Sequence, residues 1–207
     1  MTRAYSIKVE DVTAERERVN QDLSKVDISR VIQLDELELA EMGSQDVRLR
    51  ILAVSAEHNV DHAALADTVN IAELRGGKIY PGNSALGEVL AVGAEVTRFK
   101  PGEIVITHCN GAPDRFGYPK VIWAYDTPDS IGWYGEEAVV ADWQIVPAPL
   151  ECGLNLWEIA ALPLRAPTAY HLWRRAEGIF RVKVSEEKLP TLNVMAFGGG
   201  VSELFLM

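Results

Sequence analysis

Apolar and polar residues alternate along much of the first three quarters of this chain, and near residue 155 the spacing becomes that of a helix. Residues 1–30 stand apart. There Val12, Val19, Leu23 and Val26 fall at steps of seven, four and three among charged residues, which predicts one apolar helix face. From Val31 the period changes. Leu37 and Leu39 alternate with Glu36 and Glu38, and Val47, Leu49 and Ile51 with Arg48 and Arg50. Gly43 and Ser44 supply a turn between two predicted strands, each with one wet face. Residues 80–110 predict a hairpin, with Val89, Ala91, Val105 and Thr107 at strand spacing and Gly93, Pro101 and Gly102 as punctuation. A helical turn is predicted within 58–67, an apolar run at 121–125, and a strand pair around Ala141 and Asp142.

Beyond that point Asn155 and Glu158, three apart, predict a capping pair at a helix start. Pro163 and Pro167 are expected to interrupt that helix, because each lacks an N–H and crowds the preceding turn. A restart is predicted at 168–175, then a charged connector to Pro190. The last residues predict a short strand, a glycine turn and the beginning of a helix.

Composition adds exclusions. The 207 residues are 48% apolar and 24% charged, which suits a soluble globular protein. The net charge of −10, with no dense Lys/Arg cluster, disfavours a nucleic-acid partner. No apolar run approaches the roughly 18 residues of a membrane span, and no basic start precedes an apolar stretch as in a secretory signal. A cytoplasmic location is expected. Cys109 and Cys152 form no CxxC pair and are expected to be free thiols.

Three groups of residues carry candidate chemistry. Gly198, Gly199 and Gly200, followed by Ser202, lie between a predicted strand and a helix start, where backbone N–H groups and the helix dipole can meet a phosphate. A ligand-free tight loop would look the same. His58 and His62, with Glu57 and Asp61, could share a helix face, yet a catalytic zinc site needs a third protein ligand. Solvated polar residues are the favoured account there. Asp126, Asp129, Glu136 and Glu137 surround Trp123, Tyr125, Trp133 and Tyr134; carboxylates beside aromatics can act as acids or bases, but an ordinary anchored surface turn fits as well.

The phrases VGAEVTRFKPGEIV, YGEEAVVADWQIVPAP and EIAALPLRAPTAYHLW resemble the medium-chain dehydrogenase/reductase family. The match lies in the GroES-like substrate domain and the helix before the cofactor domain. Zinc-dependent members carry a cysteine after the first strand and Gly-His-Glu ahead of the hairpin. Here SAEHN and Gly82-Asn83-Ser84 stand in those places, so the resemblance is to the zinc-free branch and implies no metal. Within that branch, ITHCN followed by IWAYDT is similar to the crotonyl-CoA carboxylase/reductase group, which reduces an enoyl-CoA with NADPH and traps carbon dioxide. Asn59 in EHN matches an asparagine that positions carbon dioxide. Asp126, beside Tyr125, matches a glutamate one methylene longer, so reduction is implied more firmly than carboxylation. Thr168 matches a position near the nicotinamide end of the cofactor.

The fold implied is mainly β with helices: a GroES-like barrel, then the first strand and helix start of a Rossmann-type domain. The expected division is an amphipathic extension at 1–30, a substrate domain at 31–175, and a connector with a truncated nucleotide domain at 176–207. The resemblance implies an NADPH-dependent, zinc-independent enoyl-thioester reductase, with a reductive carboxylase within its range. This chain would be a fragment of it, inactive alone. An acyl-thioester on CoA or a carrier protein is the implied substrate, with no nucleic-acid or membrane partner and homo-oligomerisation open. A non-catalytic binding or scaffold module and a quinone or enone oxidoreductase are the alternatives.

Overall fold

The computed structural model describes residues 1–56, 65, 77–108, 114–116, 120, 132–184 and 195. Two antiparallel sheets and a long helix organise them. The strands are β1 (Thr2–Lys8), β2 (Ile32–Leu37), β3 (Asp46–Val54), β4 (Lys78–Ile79), β5 (Ala85–Val92), β6 (Ile104–Thr107), β7 (Glu137–Ala141) and β8 (Ile145–Pro147). The helices are α1 (Val9–Arg18) and α2 (Leu156–Lys183).

The larger sheet runs β7-β3-β5-β6-β8. Its two edge strands are consecutive in the chain and joined only by a short 3-10 turn, Asp142–Gln144. Such a turn advances roughly 6 Å, whereas the edges of a flat five-stranded sheet lie roughly 19 Å apart. The sheet is therefore rolled into a barrel. The turn is held on both sides: the Asp142 N–H donates to the Gln45 carbonyl at 3.0 Å, continuing the β3–β7 ladder, and the His108 N–H to the Gln144 carbonyl at 2.6 Å, continuing the β6–β8 ladder.

Strand alternation fills the barrel. Val47 and Leu49 point inward with Val89, Val105, Trp133, Ala138, Val140 and Ile145, all buried in one cluster. Burying each aliphatic side chain of this size is worth about 1.5–3 kcal/mol. Arg48 and Arg50, between the inward residues, pair across the sheet with Glu137 and Glu88. The expected hairpin is present as β5 and β6, with Leu86 opposite Ile106.

The smaller sheet runs β2-β1-β4. The predicted helix is real but ends at Arg18, and the stripe breaks with it: Val12 and Val19 are buried, whereas Leu23 is exposed. Residues 19–30 form turns capped by Asp22 and Asp27. They are held by Glu15, a buried carboxylate that accepts from the Arg18 guanidinium and from the Asp27 N–H at 2.8 Å. Ahead of the helix lies a strand that the apolar pattern conceals. Thr2, Ala4 and Ser6 are its inward residues, so its buried side is small and half polar, and its large Tyr5 faces out.

The second correction concerns α2, one unbroken helix from Leu156 to Lys183 through both prolines and eight residues into the expected connector. Pro163 and Pro167 are four apart and share a helix face, so the carbonyls they fail to serve, those of Ile159 and Pro163, lie on one side. That distorts one flank without cutting the helix. The start is fixed independently. Asn155 accepts from the Trp157 and Glu158 N–H groups at 3.0 Å each, and Glu158 accepts from the Asn155 N–H at 2.8 Å, which is the expected capping pair. Ile159 and Ala160 pack against Ala53 and Leu86 of the barrel. Tertiary packing overrides the local penalty.

Candidate functional site

The segment Tyr134–Glu136 joins the two sheets. On one side it meets β1: the Tyr5 N–H donates to the Tyr134 carbonyl at 2.8 Å and the Glu136 N–H to the Arg3 carbonyl at 2.9 Å. On the other side the Ile51 N–H of β3 donates to the Glu136 carbonyl at 2.8 Å. Over this junction opens a cleft of about 660 Å³. Its walls are Tyr5 and Leu34 from the smaller sheet, Leu52 and Val54 from β3, and Trp157 from the first turn of α2, with Trp133 and Tyr134 between them.

Backbone constraints place the aromatics. Gly82 has φ +104°, and a Cβ there would stand 2.8 Å from the Tyr134 ring. Gly132 has φ +65°, and a Cβ there would collide with the Pro81 and Tyr80 carbonyls. The Pro81–Gly82 backbone and the strand of aromatics can thus lie directly on each other, joined by the Trp133 N–H to the Gly82 carbonyl at 3.2 Å. The Tyr134 hydroxyl donates to the Ser55 carbonyl at 3.3 Å, and the Ser55 N–H to the Ser84 carbonyl at 3.2 Å. The floor of the cleft is tied to the end of β3, where the chain runs on toward Asn59.

The cleft is apolar except where Arg3 and Glu136 meet. The Arg3 Nε donates to Glu136 Oε1 at 2.9 Å, and this bond from the Arg3 side chain holds the Glu136 carboxyl below its ordinary range against the opposing effect of burial. Glu137 is likewise paired, with Arg48. Glu136 is therefore a paired carboxylate with a lowered pKa, the reverse of what a general acid at neutral pH needs. Beside the junction, Asp35 of β2 accepts from Lys78 Nζ at 2.7 Å and from the Tyr80 hydroxyl at 3.1 Å. Burial pushes the Asp35 carboxyl up, but hydrogen bonds led by that of Lys78 outweigh it and the net shift is downward.

Of the residues singled out from sequence, Thr168 lies on an exposed part of α2, and its hydroxyl donates to the Leu164 carbonyl at 2.9 Å. A hydroxyl so engaged keeps its oxygen as an acceptor. Asn59, Tyr125, Asp126, Gly198, Gly199, Gly200 and Ser202 lie outside the described residues, as do His58, His62, Cys109 and Asp129. Asn83 and Ser84, in the place where zinc-dependent relatives of the resemblance carry His-Glu, are buried. Among the described residues no three His, Cys, Asp or Glu side chains are grouped to hold a metal ion. No helix among them is long and apolar enough to cross a membrane. Sequence reading missed Tyr5, Leu34 and Trp157. The one available signal for Trp157 was its place directly inside the capped helix start.

A rolled antiparallel sheet, a capped helix leaving it and an apolar cleft at the end of one strand define a substrate-domain barrel. Residues 43–150, more than half of the chain, match the Alcohol dehydrogenase GroES-like domain. The chain belongs to that family, and with it to the medium-chain dehydrogenase/reductases. A crotonyl-CoA carboxylase/reductase of Cereibacter sphaeroides is 29% identical over 182 residues, covering 82% of this chain and 39% of the relative. Cinnamyl alcohol dehydrogenase 5 of Arabidopsis thaliana is 30% identical over 122 residues, covering 54% of this chain and 33% of its own length. Among solved structures, a 2-octenoyl-CoA carboxylase reductase in complex with NADP and 2-octenoyl-CoA superposes with a TM-score of 0.62 at 25% identity. That match covers 82% of this chain and 41% of the neighbour. The chain thus spans about two fifths of the length of such relatives.

Proposed function

We propose that this chain is the substrate-domain part of a zinc-independent, NADPH-dependent enoyl-thioester reductase. The apolar cleft at the end of β3 carries the proposal, because it offers an apolar surface for an acyl group at the end of the strand that precedes Asn59 in the chain. The 82% coverage by a crotonyl-CoA carboxylase/reductase supports the same substrate class.

When bound, NADPH supplies a hydride to the β-carbon of the enoyl thioester. A proton then completes the saturated product at the α-carbon, or carbon dioxide takes that place in a carboxylating enzyme. The chain's own part is binding and orientation. Thr168 would accept a hydrogen bond from the nicotinamide amide, and Gly198, Gly199, Gly200 and Ser202 would hold the cofactor phosphates. Asn59, with Tyr125 and Asp126, holds the electrophile that meets the α-carbon; the shorter Asp126 reaches less far than a glutamate and favours a proton there. The domains implied are a substrate domain at 31–175, preceded by residues 1–30, and a nucleotide domain that begins within 176–207. A cytoplasmic enzyme acting on CoA or carrier-protein thioesters fits these roles.

The test is NADPH oxidation by the complete protein with crotonyl-CoA, with and without bicarbonate. Turnover is expected, and bicarbonate is expected to leave the product mass unchanged. A product heavier by one carboxyl group would establish carboxylation despite Asp126. Absence of turnover with every enoyl thioester tried would overturn the proposal in favour of a binding module or a reductase of other enones.

A further inference from the structure

We infer that Asp35 is a positioning residue for the proposed reaction: from the N-terminal sheet it holds Tyr80, and through the Pro81–Gly82 backbone it sets Trp133 and Tyr134, the floor of the cleft. The kinetic consequence rests on the enoyl-thioester proposal; the hold itself is a matter of geometry.

Three observations carry it. First, β4 needs an outside hold. It is two residues long, at the edge of its sheet, and its ladder to β1 has two residue pairs, Ile7 with Ile79 and Lys8 with Lys78. So short a pairing fixes little by itself. Asp35 lies on β2, on the far side of β1, and its carboxylate accepts from Lys78 Nζ at 2.7 Å and from the Tyr80 hydroxyl at 3.1 Å. One side chain thus spans the sheet and grips the chain on both sides of Ile79. Both bonds engage a charged group, which makes them roughly twice as strong as neutral ones. Leu65, from the stretch that leads to β4, packs against Ile7, Val12 and Val31 and adds an apolar hold on the same N-terminal unit.

Second, no slack follows Tyr80. The Trp133 N–H donates to the Gly82 carbonyl at 3.2 Å and the Tyr134 N–H to the Pro81 carbonyl at 3.3 Å. A Cβ at Gly132 would stand 2.5 Å from the Tyr80 carbonyl oxygen, and one at Gly82 would stand 2.8 Å from the Tyr134 ring. The two backbones touch where only glycine lets them. A shift of Tyr80 therefore passes to Trp133 and Tyr134, because close packing transmits strain instead of absorbing it. Third, the residues that receive the shift belong to the site. Trp133 is fully buried, and Tyr134 lines the cleft and donates to the Ser55 carbonyl just beyond β3. Asp35 itself does not line the cleft, so its influence on a substrate runs through Tyr80. It also lies outside the 43–150 stretch that matches the GroES-like domain, whereas Lys78 and Tyr80 lie inside it.

The experiment is Asp35→Asn in the complete protein, with Tyr80→Phe as a second variant that removes one bond and keeps the charges of the sheet. Amide exchange at Trp133 and Tyr134 is expected to rise on the order of 10-fold in Asp35→Asn, with Val89 and Val105 unchanged. With crotonyl-CoA, kcat/KM is expected to fall about 10-fold, while the Kd and the stoichiometry of NADPH stay at their wild-type values. Tyr80→Phe should show smaller changes of the same kind. A merely structural role would instead lower the number of NADPH sites per chain and leave KM and the turnover per site intact. Glu15→Gln, which loosens the same N-terminal unit without touching Tyr80, should keep the wild-type kcat/KM per NADPH site. Wild-type exchange at Trp133 and Tyr134 in both variants would overturn the inference, as would faster exchange with kcat/KM unchanged. Faster exchange in a protein whose wild type turns over no enoyl thioester would defeat the reductase proposal and leave the hold on the cleft floor standing.

Discussion

The two sheets are held together by different physics. The barrel is a hydrocarbon core: its inward residues are Val, Leu, Ile, Ala, Phe and Trp, and Arg48 and Arg50 on its wet face are held in cross-strand pairs. The N-terminal sheet has only a small apolar cluster, Ile7, Val12 and Val31, buries Thr2, Ala4 and Ser6 beside it, and adds placed charges, with Glu15 gathering the turns after α1 and Asp35 receiving Lys78 and Tyr80. Apolar burial is insensitive to pH and strengthened by excluded salts, whereas hydrogen-bonded carboxylates lose their partners when they are protonated. A wall built this way can be retuned by surface substitutions without disturbing the barrel beneath.

The sharpest break of that contrast is Leu49→Ala, which empties a fully buried position at the centre of β3. A loss of about 2–5 kcal/mol is expected in chemical denaturation; a loss under about 1 kcal/mol would mean that the barrel core is not what holds the protein. Next comes Glu15. Hydrogen bonds from the Arg18 side chain and the Asp27 N–H, helped by the Arg18 and Arg30 charges, bring its carboxyl down from 4.5 to about 2 against the effect of burial. Its folded value is lower than its unfolded one, so its contribution is full above about pH 4.5 and disappears as the pH falls to about 2. Glu15→Gln should be less stable than the wild type at neutral pH, and the gap should close through that window. A constant gap would show that the charge is irrelevant.

Lys78→Met removes the cation from Asp35 and is expected to cost about 1 kcal/mol. Amide exchange should rise in β1, β2 and β4 and stay unchanged in β5 and β6. Uniform faster exchange would mean that the two sheets unfold as one unit. The smallest effect is expected for Arg48→Gln, which breaks a partly exposed pair with Glu137 and should change stability by less than about 1 kcal/mol.

Legibility in the sequence divides along the same line. The barrel strands announce themselves because their buried face is apolar: Val47 and Leu49 against Arg48 and Arg50 leave little alternative, and Gly102 ends the turn that makes the hairpin. β1 is illegible for the converse reason. With Thr2, Ala4 and Ser6 inside and Tyr5 outside, its polarity is inverted relative to the rule that finds strands. The prolines of α2 misled for a related cause, since a local cost says nothing about the packing of Ile159 and Ala160 that outweighs it. At the site, Leu34 and Trp157 read as unremarkable surface until the fold sets them on one opening. Thr168 enters only through the resemblance of its motif, and the structure shows its hydroxyl donating to the Leu164 carbonyl.

The short turn Asp142–Gln144 has a consequence for how the protein is made. It connects the two strands that close the barrel, and these come late in the chain, after β3, β5 and β6. During synthesis the central three strands emerge with both outer edges bare, and β3 waits more than eighty residues for β7. Open edges of this kind recruit strands from neighbouring chains. Until Pro147 has left the ribosome the nascent chain is therefore a template for misassembly, and slowing translation between β6 and β7 should lower its soluble yield.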